Sequence, residues 1–317
     1  MRILLTGSSG WLGRFLAPRL RQEGHEVVGL DVAPGEDTDI VGSVADTALV
    51  DRAARGVGAV IHAGALHKPD IVRYPESAFR AVNVEGTRHL LAAAAAAGAG
   101  RFLFTSTTSL MISEEIRSGP KRRAVWLTED SPAVPRNVYG ATKLQAERLC
   151  RRAHRETGMP VLVLRTGRFF PEEDDTHRDL SGENNKANEF LGRRLTVEDA
   201  AEAHLAALER APALGFDTFL LAAPTPFAPE DCEALIDETP ALIARHFPQA
   251  AALYAARGWS LPARIERIYD PSRARDRLGF RCKTDFGALL AAMASGGQLP
   301  FAHDPSYVSP KEGRSGC

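Results

Sequence analysis

The sequence is most informative at first for what it lacks. It has only four cysteines in 317 residues, Cys150, Cys232, Cys282 and Cys317, and no two have the spacing of a zinc or redox pair. A disulfide framework is therefore excluded, no metal site is expected, and reduced thiols in a cytoplasmic protein are the expectation. Charge of one sign is not in excess: 39 Lys and Arg oppose 40 Asp and Glu, a formal charge of −1. No basic arm or patch favours a nucleic-acid partner. No apolar run approaches the roughly 20 residues that cross a bilayer, so no membrane partner is expected. The opening MRILLTGSSG lacks the apolar length and cleavage pattern of a signal peptide. No long internal repeat is present.

What is present is an alternation. Short apolar runs at 2–7, 26–31, 59–64, 101–106, 160–165 and 217–223 read as strands. Between them, 10–24, 45–56, 77–98, 138–158 and 196–211 carry helical spacing. Strand–helix alternation with short apolar strands predicts α/β architecture: a Rossmann-type doubly wound parallel sheet, covered on both faces. The alanine run 92–97 fits a closely packed helix, since alanine is the best helix former. Residues 112–136 and 166–194 are polar and read as loops. The predicted organisation is a nucleotide-binding domain over 1–165, rejoined by 195–225. A smaller C-terminal substrate lobe is formed by 166–194 and 226–300, followed by a loose tail at 301–317.

The first strand runs into TGSSGWLG, with glycines at 7, 10 and 13. Gly7 permits a tight turn, Gly10 lets the backbone approach a pyrophosphate, and Gly13 allows the helix to pack on the strand. The amides of the new helix, around Trp11 and Leu12, would face the anion. The second strand ends in Asp31, where a carboxylate would accept hydrogen bonds from an adenosine ribose and repel a 2′-phosphate. That favours NAD over NADP, a preference weakened by Arg14 just after the loop.

The stretch NVYGATKLQAE places Tyr139 and Lys143 four residues apart at a helix start. Residues i and i+4 share one helix face. An ammonium beside a phenol favours phenolate, which predicts a lowered Tyr139 pKa and a usable general base for an alcohol proton. Near the carboxyl end of the fourth strand lie Thr105, Ser106, Thr107, Thr108 and Ser109, any of which could fix a substrate oxygen. Ligands in open α/β sheets bind at that edge.

Together these motifs resemble the extended short-chain dehydrogenase/reductase family, the sugar epimerase/dehydratase group with some similarity to uronate dehydrogenases. TGSSGWLG, HAGA (62–65), NVEGT (83–87), VYGATK, LRTGRFFPE (164–172), LTVEDAAEAHLAALE (195–209) and DPSRARDRLGF (270–280) carry the resemblance, over roughly 1–285. It implies Thr107 as the catalytic hydroxyl, Tyr139 as acid/base, and Lys143 as tyrosine modulator and nicotinamide-ribose ligand. Ala63 and Gly64 would pass the cofactor, Asn83 would organise the site, and Ser43 and Val44 would lie near the adenine, although the family usually has Asp where Ser43 stands. It also implies NAD as cofactor, a sugar or nucleotide-sugar substrate, and a homodimer formed through the NVEGT and Tyr139 helices.

Departures from the family pattern narrow the reaction. Thr108 and Ser109 stand where dehydratases place Asp-Glu, which argues against a 4,6-dehydratase. Arg168 replaces an Asn that often meets the nucleotide diphosphate. The short 166–194 segment is similar to uronate dehydrogenases, in which residues of this loop bind a sugar carboxylate; Arg178 or His177 would do so here, since guanidinium pairs with carboxylate through two parallel hydrogen bonds, and Arg168 is a further substrate-binding candidate. His67 is a further candidate to face substrate. The leading expectation is an NAD-dependent oxidoreductase acting on a secondary hydroxyl of a sugar or nucleotide-sugar, finishing either as a dehydrogenase or as an epimerase. Its alternatives are a free sugar-acid dehydrogenase releasing NADH and a catalytically silent NAD-binding sensor or scaffold.

Overall fold

A computed structural model describes residues 1–173 and 179–313. Its main sheet has seven strands, all parallel: β1 (Arg2–Thr6), β2 (Glu26–Asp31), β3 (Ile40–Val41), β4 (Ala59–His62), β5 (Phe102–Thr107), β7 (Val161–Thr166) and β8 (Phe216–Leu221). A separate parallel pair joins β6 (Val125–Leu127) to β9 (Arg267–Tyr269). The order β3-β2-β1-β4-β5-β7-β8 reverses direction between β1 and β4. A crevice opens outside the carboxyl ends of the strands at such a switch point.

The central strands are buried on both faces, as their continuous apolar runs require. Helices α1 (Gly13–Gln22) and α8 (Val197–Leu214) cover one face, packing Leu16, Leu20 and Ala203 against Ile3, Leu103 and Leu162. The helices on the other face are α2 (Thr47–Ala53), α4 (Gly86–Ala96) and α6 (Val138–Thr157). Ala93 and Ala94 of the alanine run belong to that core, beside Phe102 and Phe104.

Several details differ from the sequence-based expectation. The helix predicted from residue 77 begins as α3 (Glu76–Phe79), widens into a π turn over Arg80–Glu85, and only then continues as α4. The segment read as a loop before Tyr139 contains α5 (Glu114–Ser118) and β6, and the two-residue β3 was not expected from the sequence. Edge strands this short leave little periodic signal. Helix α7 (Gly182–Glu189) lies within the second polar segment.

Phe190, Leu191, Leu235, Ile243, Tyr254 and Phe286 form a separate core beside α7, α9 (Ala234–Asp237), α10 (Thr239–His246), α11 (Ala250–Ala256) and α12 (Phe286–Ala294). Residues 301–313 are not loose: Phe301 is buried against Phe190, and Lys311 reaches back to Asp70. The Lys311–Asp70 pair that helps fix this segment joins residues 241 apart in sequence, which no local pattern reveals.

Candidate active site

The glycine turn sits at the switch point. Gly7 has φ +78°, and a Cβ there would stand 2.7 Å from the Gly64 amide nitrogen. Only glycine meets both demands cheaply. A Cβ on Gly13 would run into the Gly7 and Ser8 carbonyl oxygens, so the helix packs directly on the turn. Helix α1 begins there with no side-chain cap, leaving its amino-terminal dipole turned toward the crevice. Gly10 N closes the turn onto Gly7 O at 3.1 Å. Leu12 is buried, and the Trp11 indole donates to Phe169 O at 3.2 Å, linking the turn to the segment that enters the smaller lobe.

Asp31 ends β2 beside this turn. Its Oδ2 accepts from Ser9 N and its Oδ1 from Ala33 N, each at 3.1 Å. Val44 packs against Gly86, and Ser43 Oγ accepts from Ala45 N, which places this pair beside the start of α4. Ala63 and Gly64 follow β4, held by Thr6: Ala63 N donates to its carbonyl and Gly64 N to its Oγ1. Thr6 Oγ1 continues to His62 Nδ1 at 2.7 Å, and His62 Nε2 meets Thr87 Oγ1 at 3.0 Å. Burial, with the Lys143 cation second, pushes His62 down to about 3, so this chain is neutral. Asn83, on the π turn, clamps Leu66 by both its backbone groups (2.8 and 3.0 Å) and donates to Thr142 at 3.2 Å. The widened turn aims one amide across from the β4 end to α6.

Helix α6 starts where Asn137 Oδ1 accepts from Gly140 N at 2.9 Å. Its first turns carry Tyr139 and Lys143, 8% and 3% exposed, both turned inward. Lys143 Nζ donates to Thr105 O at 2.6 Å and lies 4.0 Å from the centre of the Phe104 ring. The structure also sorts the hydroxyl cluster. Thr105 Oγ1 pairs with His204 Nε2 at 2.8 Å, and Ser106 Oγ donates to Glu147 at 2.6 Å. Thr107 Oγ1 accepts from Ser109 N at 3.1 Å and interacts with the Tyr139 phenol. Thr108 is buried in the 3-10 turn that follows.

The electrostatics correct one expectation. Burial pushes Tyr139 up to about 12, the Thr107 hydroxyl pulls the other way, and the Asp70 carboxylate adds to the rise. Desolvation, opposed by the Thr107 hydroxyl and not by a cation, governs this phenol. Burial also brings Lys143 down to about 7, while Cys150 and Glu147 oppose that fall. Glu147 in turn receives Arg165 Nε and NH2 at 3.0 and 2.8 Å.

His67 faces this site, with its ring centroid 5.9 Å from that of Tyr139 and 5.8 Å from that of Phe170. Burial and the Lys311 cation hold its pKa well below the ordinary value. Arg168 stands farther out, its Nε 3.8 Å from Glu189 Oε1. Glu189 also pairs with Arg193 and Arg194, and Lys186 lies nearby against Pro171 O. Although burial raises Glu189, these arginines outweigh it and hold its pKa at about 2. His177 and Arg178 lie outside the described residues. Asp70, Phe170 and Lys311 are site residues that sequence reasoning missed. A hydrophobic-run neighbour and two isolated charges carry no motif.

The NAD dependent epimerase/dehydratase family model matches residues 3–189. A 3-beta-hydroxysteroid dehydrogenase of Mycolicibacterium neoaurum is 29% identical over 191 residues, 55% of this chain and 49% of that protein. UDP-glucose 4-epimerase of Azospirillum brasilense is 31% identical over 175 residues, 52% of this chain and 48% of that protein. The chain spans about half the length of these curated relatives. A short-chain dehydrogenase/reductase superfamily structure from Agrobacterium tumefaciens with bound NAD superposes with TM-score 0.65 at 29% identity, covering 93% of this chain and 96% of that one.

Proposed function

Because the chain belongs to the NAD dependent epimerase/dehydratase family, we propose that it is an NAD-dependent oxidoreductase acting on a secondary hydroxyl of a sugar or nucleotide-sugar, with Tyr139 as the acid/base. The observation that carries this reading is the convergence of Thr107, Tyr139 and Lys143 beside the glycine turn. The site fits the dinucleotide: Gly7 and Gly13 leave a cradle that a Cβ would fill, and Asp31, Asn83 and Lys143 lie along the same crevice. NAD, when bound, supplies the two-electron acceptor that protein side chains lack.

The chain's own residues do the rest. Thr107 and Tyr139 fix the substrate oxygen, and Tyr139 Oη exchanges its proton. Lys143, on the same helix face one turn later, would favour phenolate in its protonated form when NAD and substrate are bound. Asn83 keeps the Leu66 backbone, and with it the His67 wall, in place. His67 and Phe170 give the sugar ring an aromatic face.

The relatives act on both steroids and sugars by name, so the substrate must be argued from the lobe. Around Glu189 there, Arg168, Arg193 and Arg194 gather with Lys186 nearby, and such a guanidinium cluster suits an anionic sugar better than a sterol. That arginine cluster also favours a second reading, a dehydrogenase of a free sugar acid of the uronate type.

The test is to mix the protein, NAD and a panel of sugars, sugar acids and nucleotide-sugars, following NADH absorbance and product. NADH accumulation identifies a dehydrogenase, and product without it an epimerase. Tyr139→Phe is expected to lower turnover by about 10²–10⁴-fold. Full activity in that variant would remove Tyr139 from the mechanism, and NAD binding with no turnover across the panel would leave a sensor or scaffold.

A further inference from the structure

The carboxyl-terminal segment crosses from the smaller lobe to the mouth of the cleft. His303 Nδ1 meets Lys186 Nζ at 2.8 Å, and Asp304 N donates to Pro171 O at 2.9 Å. Tyr307 then stands edge-on to Trp11, centroids 5.1 Å apart. The Arg14 guanidinium lies 4.8 Å from the Trp11 ring centre and 5.5 Å from that of Tyr307. Farther on, Lys311 Nζ donates to Ala65 O at 3.2 Å and pairs with Asp70 Oδ2 at 2.5 Å. Glu312 pairs with Arg73 at 2.6 Å.

The latch residue on the other side is unusual. Asp70 is an acidic side chain only 1% exposed. Its Oδ2 also accepts from His67 N at 2.5 Å, while Oδ1 is buried with no hydrogen-bond partner among the described residues. A buried carboxylate is costly unless it is paired, and Lys311 is its closest cation. The two anchors of the segment fall on the two stretches that flank the crevice: the glycine turn at Trp11 and the post-β4 stretch at Ala65 and Asp70.

We propose that residues 303–312 form a cofactor-retaining strap, in which Tyr307 and Lys311 are binding-site residues and the Lys311–Asp70 pair is the latch. This rests on the reading of the crevice as an NAD site. Entry or departure of a dinucleotide then requires one anchor to break, so the strap sets the exchange rate. Slow exchange suits a reaction that returns electrons to the molecule they came from. Fast exchange suits net oxidation.

The experiment is NADH release by the full chain, followed by its fluorescence after rapid mixing with excess NAD. Lys311→Met and Tyr307→Ala are each expected to release NADH about tenfold faster, the loss of one charge-assisted or aromatic anchor. Lys311→Arg should restore most of the retention. Asp70→Asn should match Lys311→Met, and the double variant Asp70→Asn/Lys311→Met should be no faster than either, because both break one contact. Circular dichroism of each variant checks that it is folded. Release at the unaltered rate from folded Lys311→Met and Tyr307→Ala overturns the strap. Failure of the unaltered chain to bind NADH overturns the NAD reading itself.

Discussion

Lys143 donates to the backbone carbonyl of Thr105 from a position with almost no solvent contact, and its ammonium rests over the Phe104 ring. The amine is thus held by a strand end rather than by a carboxylate, and its pKa falls to about 7.

That fall has a stability consequence. Below pH 7 Lys143 is protonated in both folded and unfolded chains, and the folded state bears the full cost of a buried ammonium. Between about 7 and the unfolded value near 10.4, the folded protein has lost the proton and the unfolded chain has not, so stability from this group rises with pH. Lys143→Met should therefore be more stable than the parent by about 2 kcal/mol at pH 6, with the difference shrinking toward pH 10. Urea denaturation at the two pH values measures it. A constant difference would mean that Lys143 titrates normally.

Tyr139 should ionise later than an ordinary tyrosine near pH 10, since burial raises it to about 12. Thr107→Val removes the hydroxyl that opposes this rise, and should move the ionisation higher still. Ultraviolet difference titration, with Tyr139→Phe as the subtraction, reads the shift. A downward movement would place Thr107 away from the phenol.

Gly13 and Gly56 offer a contrast. A methyl group at Gly13 meets the Gly7 and Ser8 carbonyl oxygens, whereas at Gly56, φ +68°, it meets nothing within 4 Å. Gly13→Ala should cost about 1–3 kcal/mol by overpacking and weaken NADH binding. Gly56→Ala should cost about 1 kcal/mol in backbone strain and leave NADH affinity unchanged. Thermal melts and NADH titration of both variants separate crowding at the turn from left-handed strain alone.

Behind the site, Arg165 and Glu147 form a buried pair that also receives Ser106. Removing one partner strands the other charge, so Glu147→Leu and Arg165→Met should each cost about 3–5 kcal/mol, and the double variant much less than their sum. Additive costs in chemical denaturation would show that the two side chains act separately.

The helix that was broken at Arg80–Glu85 shows where sequence reading stops. Its 3.6-residue pattern runs on through residues 77–98, so nothing local marks the π turn. The turn has meaning only because it brings Asn83 between Leu66 and Thr142, two partners supplied by other elements. The same holds for Thr107. Five adjacent hydroxyls look alike in sequence, and it is their packing that gives Thr105 to His204 and Ser106 to Glu147.

The sequence by itself determined the alternating architecture, the glycine turn and the pairing of Tyr139 with Lys143 on one helix face, because strand period, glycine geometry and helical spacing are local properties of the chain. Only the tertiary structure decided the protonation of that pair, the place of Asp70 and the course of residues 301–313. Desolvation and long-range ion pairing depend on what the fold packs around a group, and Asp70 meets Lys311 across a sequence separation of 241.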